Sequence, residues 1–222
     1  MNFIIENSVL CGYTGQDKNI KVPQGVKVLG RACLIEKTME SIILPKSLEK
    51  TVCLALALNQ NLEEVSFPEG MKHVGWKTFL DCHNLKKVYF PDSVEFMEKL
   101  VFQNCFALEE VRLSDSLKII PYGTFMCCRE LKTVNMPKSL EIIEGTAFCE
   151  NKALKSVSLP HTVKYIGDGA FVRSGLESLV IPQNCLYVGE RCFEDCENLK
   201  FIKAPKTLDL SKTACSCEII QY

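Results

Sequence analysis

Residues 154–171 read LKSVSLPHTVKYIGDGAF, and residues 62–84 read LEEVSFPEGMKHVGWKTFLDCHN. Laid over one another, they share a Leu, a Val or equivalent three residues on, a Pro at the seventh position, an apolar pair in the following segment, and then a Gly and a Phe. The unit recurs along the chain. Leu62, Leu85, Leu108, Leu131 and Leu154 are spaced by 23 residues each, and Leu176 and Leu199 follow at 22 and 23. MESIILP from Met39 is the same unit with Met for Leu, and NIKVP ending at Pro23 is its remnant. A fixed period of this length is the mark of a stacked repeat, in which each unit buries its apolar face only against its neighbours.

Within the seven-residue segment, the apolar residues at positions one, four and six alternate with polar residues at three and five, the period of a strand with one face buried. Pro at position seven ends the strand because it has no N–H for a ladder. It stands at Pro23, Pro45, Pro68, Pro91, Pro137, Pro160, Pro182 and Pro205, with Ser114 as the exception. A second apolar pair, such as Val163 and Ile166, marks a short extended return segment. Gly30, Gly75, Gly167 and Gly189 then stand where the chain is expected to turn.

Two further columns follow from stacking. Phe79, Phe102, Phe125, Phe148, Phe171 and Phe193 fall at one repeat position and are expected in a single internal column. Asn59, Cys82, Cys105, Cys128, Asn151 and Cys196 fall at another, where a buried polar or thiol side chain is expected to satisfy backbone groups of the turn. Cys53, Cys185 and Cys192 lie at or beside apolar repeat positions. Much of the load of 13 cysteines is thereby assigned to packing. Adjacent coils are also expected to bring Cys82, Cys105 and Cys128 within disulfide range, so that an oxidising compartment could crosslink them.

The unit L-x-x-V-x-L-P-x-S-V-x-x-I-G-x-x-A-F-x-x-C-x-N resembles the BspA-type leucine-rich repeat, also called the Treponema pallidum type, over roughly residues 17–210. The resemblance implies a leucine-rich-repeat solenoid, a right-handed coil with one parallel sheet along one side and short extended or helical turns on the other. It also implies protein binding, surface adhesion in secreted members, and no catalysis. The opening FIIENSVLCGYTGQDKNIKVPQGVKVLG is similar to the capping start of bacterial members. Residues 1–16 are therefore expected as an N-terminal cap, 17–208 as repeats and 209–222 as a C-terminal cap, all in one domain. Residues 49–58, EKTVCLALAL, depart from the unit and are expected to form a short helix.

Charge and chemistry narrow the function. Lys+Arg 26 against Asp+Glu 27 gives a net charge of -1, without the basic excess of a nucleic-acid binder. Charged or polar residues interrupt every apolar run, so no membrane span is expected. With only His73, His83 and His161, a nucleophile–His arrangement has few candidates. Cys127–Cys128, Cys192-x-x-x-Cys196 and Cys215-x-Cys217 do not make a pair of zinc knuckles. No P-loop or G-x-G-x-x-G occurs, and neither a cofactor nor a metal is expected. If Met1 is the native start, the lack of a charged n-region predicts a cytoplasmic protein, whereas a chain trimmed of its signal would be secreted or displayed on the cell surface.

A partner is then expected on the outward face of the sheet. Position two runs Glu40, Glu63, Lys86, Glu109, Lys132, Lys155, Glu177, Lys200, an alternation best explained as a solvated ladder that holds register. Position five mixes Tyr89 and Arg112, types enriched in binding hot spots, with Ser66, Asn135 and Ser158, which permit close approach. These five form the candidate partner site, with His73 and Trp76 as a second patch on the turn side. Three readings remain: a protein-interaction scaffold, a surface adhesion module for host protein or glycan, and, least supported, an enzyme. The oligomeric state is left open.

Overall fold

In the computed structural model, which describes residues 2–222, the seven-residue segments form strands where their alternation predicts them. On this sheet face lie β3 (Asn19–Lys21), β5 (Ser41–Ile43), β7 (Glu64–Ser66), β9 (Lys87–Tyr89), β11 (Glu110–Arg112), β13 (Thr133–Val134), β16 (Ser178–Val180), β18 (Phe201–Ala204) and β19 (Glu218–Gln221). All pairings among them are parallel, and equivalent repeat positions meet: Val65 opposes Val88, and Val88 opposes Val111. The chain is thus a β-solenoid of about 8 turns.

The return segments also form ladders, where a sheet on one side alone was expected. They comprise β1 (Phe3–Glu6), β2 (Val9–Tyr13), β4 (Val28–Leu29), β6 (Lys50–Thr51), β8 (His73–Val74), β10 (Phe96–Met97), β12 (Ile119–Ile120), β14 (Ile142–Ile143), β15 (Tyr165–Ile166) and β17 (Tyr187–Val188). Only β1 with β2 is antiparallel, a hairpin laid against the first coil. Both faces are interrupted. The sheet face divides into β3–β5, β7–β9–β11–β13 and β16–β18–β19, and the return face divides between β10 and β12.

No helix occurs among the described residues, and the one expected over 49–58 is a turn following β6. The reason is the direction of the N–H groups. Those of Leu54, Leu56 and Leu58 donate to Trp76, Thr78 and Leu80 in the next coil at 2.9, 3.0 and 2.8 Å, leaving none of the i→i−4 bonds of a helix. Later turns do the same: Lys77, Phe79 and Asp81 donate to Lys99, Val101 and Gln103. Left-handed residues at two fixed positions per coil aim these groups. Leu54, Lys77 and Leu100 at the first have φ of 60, 53 and 61°, and Leu58, Asp81 and Asn104 at the second have 61, 56 and 61°. A left-handed non-glycine residue costs roughly 1–2 kcal/mol, so the turn is held by its neighbours rather than by local preference.

Inside the coil the expected columns are present. Phe79, Phe102, Phe125, Phe148, Phe171 and Phe193 are buried and stack with ring centroids 5.3–6.1 Å apart. The thiols of Cys82, Cys105 and Cys128 each donate to a carbonyl of the preceding coil, those of Leu56, Phe79 and Phe102, at 3.1 Å. Asn59 Nδ2 donates to Leu34 and Leu56 carbonyls, and Asn151 Nδ2 to those of Phe125 and Cys128. Ser174 occupies the same column unforeseen, buried with its hydroxyl 3.4 Å from Cys196 Sγ. The Cys82, Cys105 and Cys128 thiols are free, and a disulfide joins Cys215 to Cys217 instead.

Gly75 and Gly167 have no left-handed φ; close approach, not turning, explains them. A Cβ on Gly75 would stand 2.6 Å from the Val52 carbonyl carbon, and one on Gly167 would stand 2.5 Å from the Gly145 nitrogen. Both obstacles are backbone of the previous coil.

Two substitutions test the packing by thermal or denaturant unfolding. Phe125→Ala removes a ring stacked on both sides and is expected to cost about 3–5 kcal/mol; an unchanged melting temperature would contradict the column. Gly167→Ala adds one methyl yet should lower stability by about 1–3 kcal/mol as the coils are forced apart, while Gly25→Ala, whose Cβ meets nothing within 4 Å, suffers only from its φ of 89°.

Candidate binding surfaces

Of the five outward residues at position five, the structure brings three together. Ser66, Tyr89 and Arg112 oppose one another in register on β7, β9 and β11. Tyr89 is half-buried, and Arg112 is already engaged, its Nη1 donating to the Phe90 carbonyl at 2.9 Å and its Nη2 to Asp92 at 3.1 Å. Asn135 has a structural task. Its Oδ1 accepts the Leu113 N–H at 2.7 Å and its Nδ2 donates to the Leu113 carbonyl at 3.0 Å. In earlier coils that rung is backbone to backbone, from Phe67 to Tyr89 and from Phe90 to Arg112. The side chain replaces the strand's own carbonyl, β13 stops at Val134, and residues 156–158 form no strand. Ser158 is exposed beyond that interruption.

The charges around these residues are largely paired across coils. On the sheet face Lys18 meets Glu40 at 2.7 Å, Lys86 meets Glu63 at 3.1 Å, and Lys132 meets Glu109 at 2.9 Å. On the return face Lys27 meets Glu49, and Lys164 meets Glu141 at 2.7 Å. Hydrogen bonds from Lys132 and Lys164 hold the Glu109 and Glu141 carboxyls below their ordinary value of 4.5, and bonds to Glu40 and Glu109 hold the Lys18 and Lys132 amines above 10.5. All are solvated, so each pair contributes little.

The return face is different in character. Its outward column contains His73, Phe96, Ile119, Ile142, Tyr165 and Tyr187, paired in register on either side of the break between β10 and β12. The His73 and Phe96 rings lie 4.9 Å apart, and Tyr165 stacks on Tyr187 at 4.8 Å. Trp76 is exposed beside them, with the Lys77 amine 4.6 Å from its ring centroid. At the break a groove of about 630 Å³ opens, lined by Trp76, Phe96, Met97, Leu117, Ile119 and Pro121 with Glu95, Glu98, Lys99, Ser116, Lys118 and Glu144. That volume lies within the range of roughly 300–1,000 Å³ for ligand clefts. His73 and Trp76 were legible in the sequence; Phe96, Ile119 and Pro121 were not singled out. Their signal was available: Pro121 stands where other coils have Gly30, Gly75, Gly167 or Gly189.

Burial makes poor nucleophiles of Cys33 and of the column thiols Cys82, Cys105 and Cys128. Burial pushes Cys33 and Cys82 up to about 12 and holds Cys105 and Cys128 well above the ordinary value, so all four are protonated at neutral pH. Among the described residues no group of three or more His, Cys, Asp or Glu side chains is placed to hold a metal. No helix there is long and apolar enough to cross a membrane.

A laddered coil with internal Leu, Phe and Cys/Asn columns defines a leucine-rich-repeat solenoid. The profile of the BspA type leucine rich repeat region matches in 6 copies over residues 4–109 and 118–218, and the chain belongs to that family. Among solved structures, a leucine-rich repeat protein from Bacteroides ovatus is similar over 100% of this chain and 68% of its own, with a TM-score of 0.80 at 21% identity. The T. pallidum leucine rich repeat protein aligns over 74% of this chain and 80% of its own (TM-score 0.71, 24% identity). A leucine rich cell surface protein from Faecalibacterium prausnitzii aligns over 99% and 92% (TM-score 0.61, 19% identity). A search of curated proteins found no match.

The paired charges predict a broad pH plateau in stability. A carboxyl lowered in the fold contributes above its unfolded value and loses that contribution as pH falls through the lower folded one. A raised lysine contributes below 10.5 and loses it as pH rises through its folded value. The melting temperature should be nearly flat from about pH 6 to 9 and fall on both sides. A melting temperature that climbed as the carboxyls were protonated would contradict the pairing.

Proposed function

We propose that the protein is a non-catalytic scaffold that binds a protein partner, and that the partner docks on the return face. The observation that carries this is where aromatic side chains are left in water. Phe96 is 53% exposed, Tyr187 40%, Tyr165 39% and Trp76 38%, all along the return face, whereas the large apolar side chains exposed on the sheet-face strands, such as Ile43 and Val180, are aliphatic. Exposed apolar surface of this kind marks an interaction site, and aromatic residues anchor interfaces. Membership of a repeat family commonly used for interaction supports the same class of function.

The sheet face is a second reading, favoured by the register that sets Ser66, Tyr89 and Arg112 side by side on an unbroken ladder. Location is likewise a proposal. Eleven free cysteines fit a reducing cytoplasm, while the Cys215–Cys217 disulfide fits an oxidising exterior and likeness to a cell surface protein favours display and adhesion to host protein or glycan.

Affinity capture with three immobilised proteins separates the faces. The wild type and a Tyr89→Ala/Arg112→Glu variant should retain the same partner, and Tyr165→Ser/Tyr187→Ser should lose it, with all three giving matching circular dichroism. The opposite pattern moves the site to the sheet face. A partner held equally by all three would rule out both columns.

A further inference from the structure

The groove begins with one residue that lacks a donor. At the position of Pro121, other coils offer an N–H to the coil before: Val52 donates to the Leu29 carbonyl at 2.8 Å, Glu98 to Val74 at 2.8 Å and Glu144 to Ile120 at 2.9 Å. Pro121 has no N–H to give to Met97. The next rungs are missing as well. Glu95 and Phe96 donate to the Lys72 carbonyl, and Glu141 and Ile142 to that of Lys118, but Lys118 and Ile119 donate to nothing among the described residues. The coils close again immediately afterwards, where Leu100 donates to Tyr122 at 3.0 Å, and they are paired on the sheet face through β9 and β11. The opening is therefore confined to the return face. One lip carries the Glu95 and Met97 carbonyls and the other carries the Lys118 and Ile119 N–H groups.

Its charges are not equally available. Glu95 is held by Lys72 at 2.7 Å. Glu98 is bonded to His73 Nε2 at 2.9 Å and to the Trp76 N–H at 3.0 Å, and Glu144 accepts the Tyr122 N–H at 2.7 Å. Lys99 and Lys118 are exposed and in no ion pair among the described residues.

We propose that the groove between β10 and β12 binds an extended peptide segment that sets an apolar side chain on Trp76, Phe96 and Ile119 and acidic side chains beside Lys99 and Lys118. A strand is the occupant whose own backbone supplies donors to one lip and acceptors to the other at ladder spacing, with alternate side chains entering the apolar floor. A purely apolar ligand would leave both sets unsatisfied, at a cost that buried backbone groups seldom bear. The charged carboxylates of Glu98 and Glu144 are turned to the His73 ring and to backbone N–H groups, so Lys99 and Lys118 are the lining charges left, among the described residues, without a bonded partner for an acidic side chain to meet.

This site rests on the scaffold reading but has its own signal, because Trp76 is the one tryptophan of the chain and lines the groove. The probes are acetyl-Asp-Val-Phe-Val-Asp-amide, its twin with Lys for both Asp, the acidic peptide N-methylated along its backbone, and maltohexaose. The acidic peptide should change Trp76 fluorescence saturably and bind roughly three- to tenfold more tightly than the lysine twin; the N-methylated form should bind more weakly. Lys99→Glu with Lys118→Glu should reverse the preference. Pro121→Val, which restores a donor as Val52 has it, should close the groove and remove the response with circular dichroism unchanged. Equal binding of the two twins, an unaltered response after Pro121→Val, or a response to maltohexaose alone overturns the proposal; should Pro121→Val not fold, the lysine reversal decides. A chain that captures a protein through Tyr165 and Tyr187 yet shows no Trp76 response overturns the groove and leaves the scaffold standing. Peptide binding without any captured protein does the converse.

Discussion

Every coil is held to the next by backbone hydrogen bonds, and most other features of the molecule follow from keeping them. On the two faces these are the rungs of parallel strands; in the turns they run from alternate residues, such as Phe79 to Val101 and Phe102 to Thr124. A net gain of about 0.5–1.5 kcal/mol per bond is comparable with the cost of the left-handed residues that aim them. Helix is excluded for the same reason. An N–H that reaches the neighbouring coil is not available to its own turn, so even the Ala- and Leu-rich stretch at 54–58 stays open.

Stacking at one strand spacing per coil also dictates the interior. The same position in each repeat meets itself, which gives a column of Phe rings and a column of Cys and Asn whose donors serve carbonyls that the turn would otherwise bury unpaired, joined by Ser174, whose hydroxyl meets the Cys196 thiol. Thiols suit this place because they are small, apolar enough for the core and able to donate once. Their burial keeps them protonated, which removes them from nucleophilic chemistry.

Individuality enters where the ladder fails. On the sheet face a side-chain amide, Asn135, takes a rung that belongs to the backbone, and the strand run ends. On the return face an imino acid, Pro121, has no rung to offer, and the coils part. The first break is filled by half-buried Val134, Met136, Val157 and Leu159 packed against the core. The second is left open over aromatic side chains.

The period, the strand segments, the Phe and Cys/Asn columns and the family resemblance were all legible in the linear sequence. In a solenoid each unit touches only its neighbours, so a spacing of 22 or 23 residues translates directly into contact. Tyr89, Arg112 and Ser66 could be placed in one row by that arithmetic. Their engagement could not, since Arg112, though exposed, is bonded to the Phe90 carbonyl and Asp92, and Asn135 turns back to Leu113. The close approach at Gly75 and Gly167, the ladder along the return face and the groove at Pro121 belong to the tertiary structure alone. Each depends on which neighbour a particular N–H or Cβ faces, a direction that periodicity does not encode and that only the stacked backbones determine.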